Sequence, residues 1–149
     1  MDNIQFKHIT PIQLRFNDFD ALGHVNNSVY FSFYDLGKTS YFNEVMPEVN
    51  VSKEVGVVIA NIEVSFLLPV YLGENVAVET AVVEIGNKSF KILQKLIDVG
   101  TNEVKSICHT VMVCFDATTK TARPVSDSWR KAMAAFEGNQ ELLKVHSSN

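Results

Sequence analysis

Two carboxylates, a glycine, an imidazole and two carboxamides crowd into Asp18-Phe19-Asp20-Ala21-Leu22-Gly23-His24-Val25-Asn26-Asn27, directly ahead of an apolar run that begins near Ser28. The first turn of a helix leaves backbone N–H groups unpaired and carries the positive end of the helix dipole. A carbonyl oxygen held over such amides is polarised, and a carboxylate beside it can drive attack on the carbonyl carbon. These residue types at this spacing outline a site for acyl transfer.

Each member of the segment also has a purely structural reading. Asp and Asn before a helix are common caps and turn formers, so Asp18 and Asp20 could serve only the turn. Two residues apart, they could also point the same way and couple their titrations or bind a cation. Gly23 supplies either a positive φ or room for a close ligand. With Asn26 or Asn27 as the cap, the amides of Asn27, Ser28 and Val29 would face outward as an oxyanion hole. His24 could be a base, a hydrogen-bond donor or a turn residue, and we favour a helper role. No second His or Cys stands at metal-ligand spacing, so no metal site is expected.

Elsewhere the chemistry is sparser. Cys108 and His109 are neighbours on a strand-like run, so their side chains would point to opposite faces and could not act as a nucleophile pair. No Gly-x-Ser-x-Gly elbow and no Gly-x-x-x-x-Gly-Lys phosphate loop occurs. Gly86-Asn87-Lys88-Ser89-Phe90 reads as a hairpin tip carrying a cation and a hydroxyl, with Lys88 either a phosphate grip or a solvated turn lysine.

The elements that would position these residues follow from periodicity. Residues 9–17 read as a first strand. From Ser28 to about Met46, Tyr30, Phe33, Tyr34, Gly37, Tyr41 and Val45 recur at steps of three and four, which predicts a helix with one wide apolar face. Ser32, Asp35, Lys38 and Asn43 fall largely off that face, and Pro47 helps to end the helix. After a loop at 47–54, Ile62, Val64, Phe66 and Leu68 alternate with polar residues, and Val-, Ile- and Thr-rich runs follow. Turn signals at 73–74, 86–88, 100–102 and 117–119 predict long strands joined by tight hairpins in an antiparallel meander. Residues 126–137 predict a short helix with a Ser or Asp cap and Gly138 as its stop, and residues 139–149 a frayed tail.

One strand, one long helix and four long strands predict an α+β domain with an apolar helix against a curved sheet. The 149 residues suit a single domain, 1–149, and their 46% hydrophobic content supplies its core. A formal net charge of -4 with scattered Lys and Arg gives no footprint for nucleic acid. Nowhere do 18 apolar residues run together, and the first residues show no export signal, so the expected chain is soluble and cytoplasmic, with no membrane partner and with Cys108 and Cys114 reduced. An open sheet edge predicts pairing across a two-fold axis, hence a homodimer or homotetramer.

The ordered set Asp18-x-Asp20-x-x-Gly23-His24-Val25-Asn26-Asn27-x-x-Tyr30, followed by Tyr34-Asp35, Tyr41-Phe42, Gly86-Asn87-Lys88-Ser89-Phe90, Asp116 and Arg123-Pro124, resembles the 4-hydroxybenzoyl-CoA thioesterase branch of the hotdog-fold family. The His-Val-Asn-Asn form is also similar to acyl-carrier-protein thioesterases and departs from the aromatic-CoA members. The resemblance spans most of residues 9–125. It implies a long central helix wrapped by a curved antiparallel sheet of about five strands, with ligand sites between subunits. It further implies hydrolysis of acyl-CoA or acyl-carrier-protein thioesters, with coenzyme A entering as part of the substrate and no separate cofactor. By the same resemblance Asp20 is the catalytic carboxylate as nucleophile or general base, the Asn27 amide polarises the carbonyl, and Lys88 and Ser89 meet the coenzyme A nucleotide. Catalysis is thus expected from Asp20, Asn27 and His24, and substrate contacts from Gly23, Asn26, Tyr30, Tyr34, Lys88 and Ser89, with the acyl group in an apolar slot beside Tyr30, Phe33, Tyr34 and strand residues such as Ile62 and Phe66. A non-catalytic acyl-CoA or acyl-carrier binding module is the alternative, and a hotdog dehydratase ranks lower because its pattern differs.

Overall fold

A computed structural model describes residues 4–52 and 55–144. Strand β1 (His8–Ile12) leads through the Asp18–Asn27 segment into helix α1 (Tyr30–Val45) and a single-turn helix α2 (Glu48–Val51). Four long strands follow, β2 (Val55–Phe66), β3 (Val76–Ile85), β4 (Ser89–Asp98) and β5 (Val104–Asp116), then a two-residue β6 (Thr121–Ala122) and helix α3 (Asp127–Glu137). The sheet is antiparallel in the order β1-β3-β4-β5-β2, with β6 on β5. Its curl around α1 is the half-barrel of a hotdog fold. Irregularities at Ile59/Asn61, Val82/Glu84 and Leu96/Ile97 add local twist, which helps the strands wrap the helix. No described helix is long and apolar enough to cross a membrane.

The expected hairpins join β3 to β4 and β4 to β5 as a meander, but the turn at Gly73 does not join neighbours. β2 crosses to the far edge and pairs with β5, while β3 pairs with β1. Four local expectations also change. The helix begins at Tyr30 because residues 27–29 form a tighter 3-10 turn, and the expected loop at 47–54 contains α2. Residues Gln140–Leu143 are no frayed tail: they form a 3-10 turn that buries Leu142, while 145–149 lie outside the described residues. Lys38, expected off the apolar face, is only 4% exposed. The last helix matches its signals, with the Ser126 side chain accepting from the Trp129 amide and Gly138 at φ 64°.

Two apolar clusters fill the space between α1 and the sheet, one around Tyr30, Phe33 and Tyr34, the other around Tyr41, Phe42, Phe90 and Trp129. A polar belt separates them. On β3, Thr80 lies between Val78 of one cluster and Val82 of the other, on β4 Gln94 between Leu96 and Ile92, and on β5 Thr110 between Cys108 and Met112. All three polar side chains are buried, and Thr80 and Gln94 are cross-strand partners.

At this level α1 comes down onto the sheet. A Cβ on Gly37 would meet Val78 Cγ1 at 2.7 Å, Gln94 Nε2 at 2.8 Å and Thr80 Oγ1 at 3.1 Å. Gln94 Nε2 donates to the Tyr34 carbonyl at 3.0 Å and to Thr80 Oγ1 at 3.1 Å. A buried amide donor needs such acceptors, so the bonds fix both the height and the axial position of the helix. Gly37→Ala should therefore lift α1 and disturb Gln94, lowering stability by about 1–3 kcal/mol in urea unfolding. An unchanged midpoint would show that the close approach carries no energetic weight.

Candidate active site

Residues 18–26 fold back as a tight hairpin. The Asn26 amide donates to the Asp18 carbonyl at 2.9 Å, the Asp20 amide to the His24 carbonyl at 3.1 Å, and the Gly23 amide to the Asp20 carbonyl at 3.0 Å. Gly23 sits at φ +87°, which fits its expected backbone use, and the space an added Cβ would take holds no protein atom within 4 Å.

The two aspartates have separate environments. Asp18 is 1% exposed and accepts from the Arg15 amide through Oδ2 at 2.8 Å and from Arg15 Nη2 through Oδ1 at 3.0 Å. Both of its oxygens are engaged in shaping the turn. Asp20 is half-buried and its Oδ1 accepts from the Leu22 amide at 2.9 Å, while Oδ2 has no partner among the described residues. One oxygen thus orients the carboxylate and the other is available.

Asn26 is the cap. Its Oδ1 accepts from the Ser28 amide and hydroxyl, each at 3.0 Å, and its carbonyl accepts from the Val29 amide at 2.9 Å. Of the three amides expected to face outward, Ser28 and Val29 are thus occupied by protein atoms. Only the Asn27 amide has no acceptor among the described residues. The 3-10 bond to the Asn26 carbonyl consumes Val29, and the Asn26 side chain consumes Ser28.

Asn27 lines a cleft of about 280 Å³ together with His24, Val25 and Tyr30 on one side and Phe66, Leu67, Leu68 and Pro69 on the other. Asp20 is on the opposite limb of the hairpin and is not part of this wall. Tyr30 is 2% exposed and meets the Phe66 ring edge-on at 5.0 Å. Burial, and next the Glu74 charge, push its phenol above the usual range. The His24 ring stands edge-on to Tyr71 at 6.2 Å, and the two residues form a backbone bridge.

Several supporting residues carried no local sequence signal. Lys105 is 3% exposed and donates to the Pro69 carbonyl at 3.1 Å and to Glu74 Oε2 at 2.9 Å, while Glu74 Oε1 accepts from the Tyr71 amide at 2.6 Å. The Val25 amide in turn donates to the Val70 carbonyl at 2.9 Å. The 69–74 segment and the hairpin therefore brace each other across the cleft. Phe66, expected beside Tyr30 in an apolar slot, shares the cleft with it, and Leu67 and Leu68 join through the path of β2, which only the crossover reveals.

The other expected substrate residues lie apart. Tyr34 is fully buried on the sheet-facing side of α1 and is not part of the Asn27 cleft, and burial pushes its phenol far above its usual range. Phe33 lines a different cleft, with Pro11 and Leu36. Lys88 is exposed at the β3–β4 hairpin tip, and Ser89 is 6% exposed at the start of β4. The tip is held by the buried Arg130, whose Nη2 donates to the Gly86 carbonyl at 2.7 Å. Ser89 is paired with Val113 of β5 and Phe66 with Ser106, so within one chain the two places are about 24 Å apart at roughly 3.4 Å per residue. Among the described residues no group of three or more His, Cys, Asp or Glu could hold a metal ion, and Cys108 and Cys114 are both free and buried.

Residues 14–134 match the model of the thioesterase-like superfamily, and the chain belongs to that family. A Thermus thermophilus thioesterase, solved as a complex with coenzyme A and Zn, is 28% identical with a TM-score of 0.81, covering 90% of this chain and 96% of its own. A Pseudomonas aeruginosa protein is 26% identical with a TM-score of 0.81, over 91% and 96% of the two chains. A predicted thioesterase of Bacillus stearothermophilus is 26% identical with a TM-score of 0.77, over 87% and 95%. No curated protein matches. The family and these neighbours support a thioesterase.

Because the Asn26 side chain alone caps the turn that presents Asn27, Asn26→Ala should cost about 1 kcal/mol of stability in thermal or urea unfolding. It should also speed amide exchange at Ser28. An Asn26→Ala protein with wild-type exchange there would show that the cap does not hold the turn.

Proposed function

We infer that the chain hydrolyses acyl-CoA thioesters at the Asn27 cleft. The observation that carries this reading is the Asn27 main-chain amide, without an acceptor among the described residues and on the wall of a largely apolar cleft, following a hairpin whose Asp20 carboxylate keeps one oxygen without a partner among those residues. The coenzyme A bound by the Thermus relative supports CoA over a carrier protein as the thiol.

In this mechanism the Asn27 amide donates to the thioester oxygen and gains strength as negative charge develops there. Asp20 either attacks the carbonyl carbon, giving an anhydride that water then opens, or takes a proton from a water that attacks. Both routes break the C–S bond, release the thiol and leave a free acid. His24, on the cleft wall, serves as a donor to the substrate. Gly23 gives the loop its turn, Asn26 holds the amide in place, and Tyr30 with Phe66 forms the apolar bed for the first part of the acyl group.

Lys88 and Ser89 contact the nucleotide of the same substrate only when a second copy supplies them. The unpaired edge of β2 supports that arrangement: antiparallel pairing of two such edges sets the Phe66 end of one strand beside the Val55 end of its mate. Equilibrium sedimentation should accordingly return an even number of protomers, and a stable monomer with full activity would remove the second-copy contact.

Position 27 offers a clean test of the amide. Asn26 is extended at φ -62° and ψ 135°, which suits the residue before a proline, and proline is well tolerated at the first position of a helix. Asn27→Pro should therefore delete one N–H with little strain and lower the rate of thiol release by about 10²–10³, whereas Asn27→Ala keeps the amide and should keep most of the rate. Asp20→Asn should abolish release with the fold intact. Near-normal turnover by Asp20→Asn removes the proposed role of the carboxylate, and binding of acyl-CoA without release by the unaltered protein identifies a binding module instead.

A further inference from the structure

Lys38 occupies the middle of α1 at 4% exposure, yet its amino group has no hydrogen-bond acceptor among the described residues. Its ionic neighbour is Asp35 Oδ1 at 3.5 Å, and the Asp35 side chain is 64% exposed. An ammonium carries three donors, and one distant carboxylate does not replace the water lost on burial. An oxygen from beyond the described residues, of water or of a ligand, completes its shell.

Lys38 and Asp35 share one wall of a cleft of about 630 Å³ between α1 and β2, whose other walls include Phe42, Val57, Ile59 and Met112. Thr39 and Asn50 are the other polar residues of the lining, and the Asn50 side-chain amide donates to the Thr39 carbonyl at 3.0 Å, so Lys38 and Asp35 are its charged pair. It lies on the same α1–β2 seam as the Asn27 cleft, at the Gly56–Ile59 end of β2, whereas the Asn27 cleft takes the Phe66 end. Half-buried Ile62 and Val64 lie between the two. Along the helix axis Lys38 is about 16 Å from Asn27 at 1.5 Å per residue. An extended medium-length acyl chain spans that distance, and a single aromatic ring does not.

The geometry points to the second cleft as the reader of the far end of the acyl group, with substrates that carry a hydroxyl near the terminus of a medium-length chain. This rests on the thioesterase reading of the Asn27 cleft. A hydroxyl oxygen accepts from Lys38 while its proton goes to Asp35, so both members of the pair gain a partner. A terminal methyl leaves the amino group as it stands, and a terminal carboxylate meets the charge of Asp35. Lys38 is then a specificity-determining residue.

The test compares thiol release from dodecanoyl-CoA and ω-hydroxydodecanoyl-CoA by the full chain and by Lys38→Met, which keeps the aliphatic stem and removes the donor. The unaltered protein should favour the hydroxylated ester in kcat/KM by about tenfold or more, the size of one hydrogen bond to a charged donor, and Lys38→Met should bring the ratio close to one. Asp35→Ala, at an exposed position, should shrink the ratio as well and decides the matter should Lys38→Met not fold. Equal ratios in variant and unaltered protein overturn the inference. So does loss of self-association in Lys38→Met by sedimentation, since the missing acceptor would then belong to a second copy. Should neither ester be cleaved, the thioesterase reading fails by itself. Calorimetric affinities for dodecanoate and ω-hydroxydodecanoate then carry the test: a Lys38-dependent tenfold gap sustains recognition of the hydroxyl, and no gap ends it.

Discussion

The placement of α1 on the sheet governs everything that functions in this molecule, and it is set where Gly37 meets Val78 and Thr80 and where Gln94 reaches the Tyr34 carbonyl. Apolar packing alone is non-directional and would let a helix slide or roll. A buried amide with two defined acceptors has no such freedom, because leaving either unmade costs the desolvation of the group. The polar belt therefore acts as a register pin between two apolar clusters. Once it is engaged, the helix start falls at one end of β2 and Lys38 at the other.

At the helix start, the local chemistry narrows three candidate amides to one. A regular α-helical first turn capped at Asn26 would leave more of its donors unpaired, but the 3-10 turn closes Val29 onto Asn26, and the Asn26 side chain takes Ser28. The remaining donor belongs to a residue held on both sides, by its own cap and by the bracing of the hairpin against 69–74. That bracing depends on Lys105, a buried cation whose two hydrogen bonds gather the Pro69 carbonyl and the Glu74 carboxylate into a rigid rim. The direction of that donor is thus fixed by the chain itself before any ligand arrives.

The sheet divides the work between its ends. The Asn27 cleft is bounded by the Phe66 end of β2, while the Lys88 tip, pinned by Arg130, is at the opposite end of the strands. In a single chain these features are too distant for one ligand. The long exposed edge of β2, with Val58 and Ile59 each close to half exposed, gives a physical reason for copies of the chain to meet.

Much of this was legible in the residues. The segment from Asp18 to Asn27, the apolar spacing of the long helix, the hairpin signals at 86–88 and 100–102 and the Ser126 and Gly138 caps are local patterns, encoded by backbone preferences and side chains within a few positions of one another. Local pattern left the cap to Asn26 or Asn27 and the turn to Asp18 or Asp20, and the structure puts Asn26 at the cap and Asp18 in the turn. What it left undecided depends on distant contacts. The crossover of β2 to the far edge brings Leu67 and Leu68 to the cleft beside Phe66, and Lys105 braces a turn more than thirty positions earlier. Periodicity assigned Lys38 to solvent, because a helical wheel knows the face of a residue and not the depth of the sheet beneath it. Tyr34 and Ser89 looked like ligand contacts by motif, but Tyr34 faces the sheet from α1 and Ser89 starts β4 far along the strands from Phe66, so neither lines the Asn27 cleft. Sequence determined which residues could cap, turn and react. The tertiary fold decided which of them share a cavity, since that depends on strand order and helix height, and neither is a property of neighbouring residues.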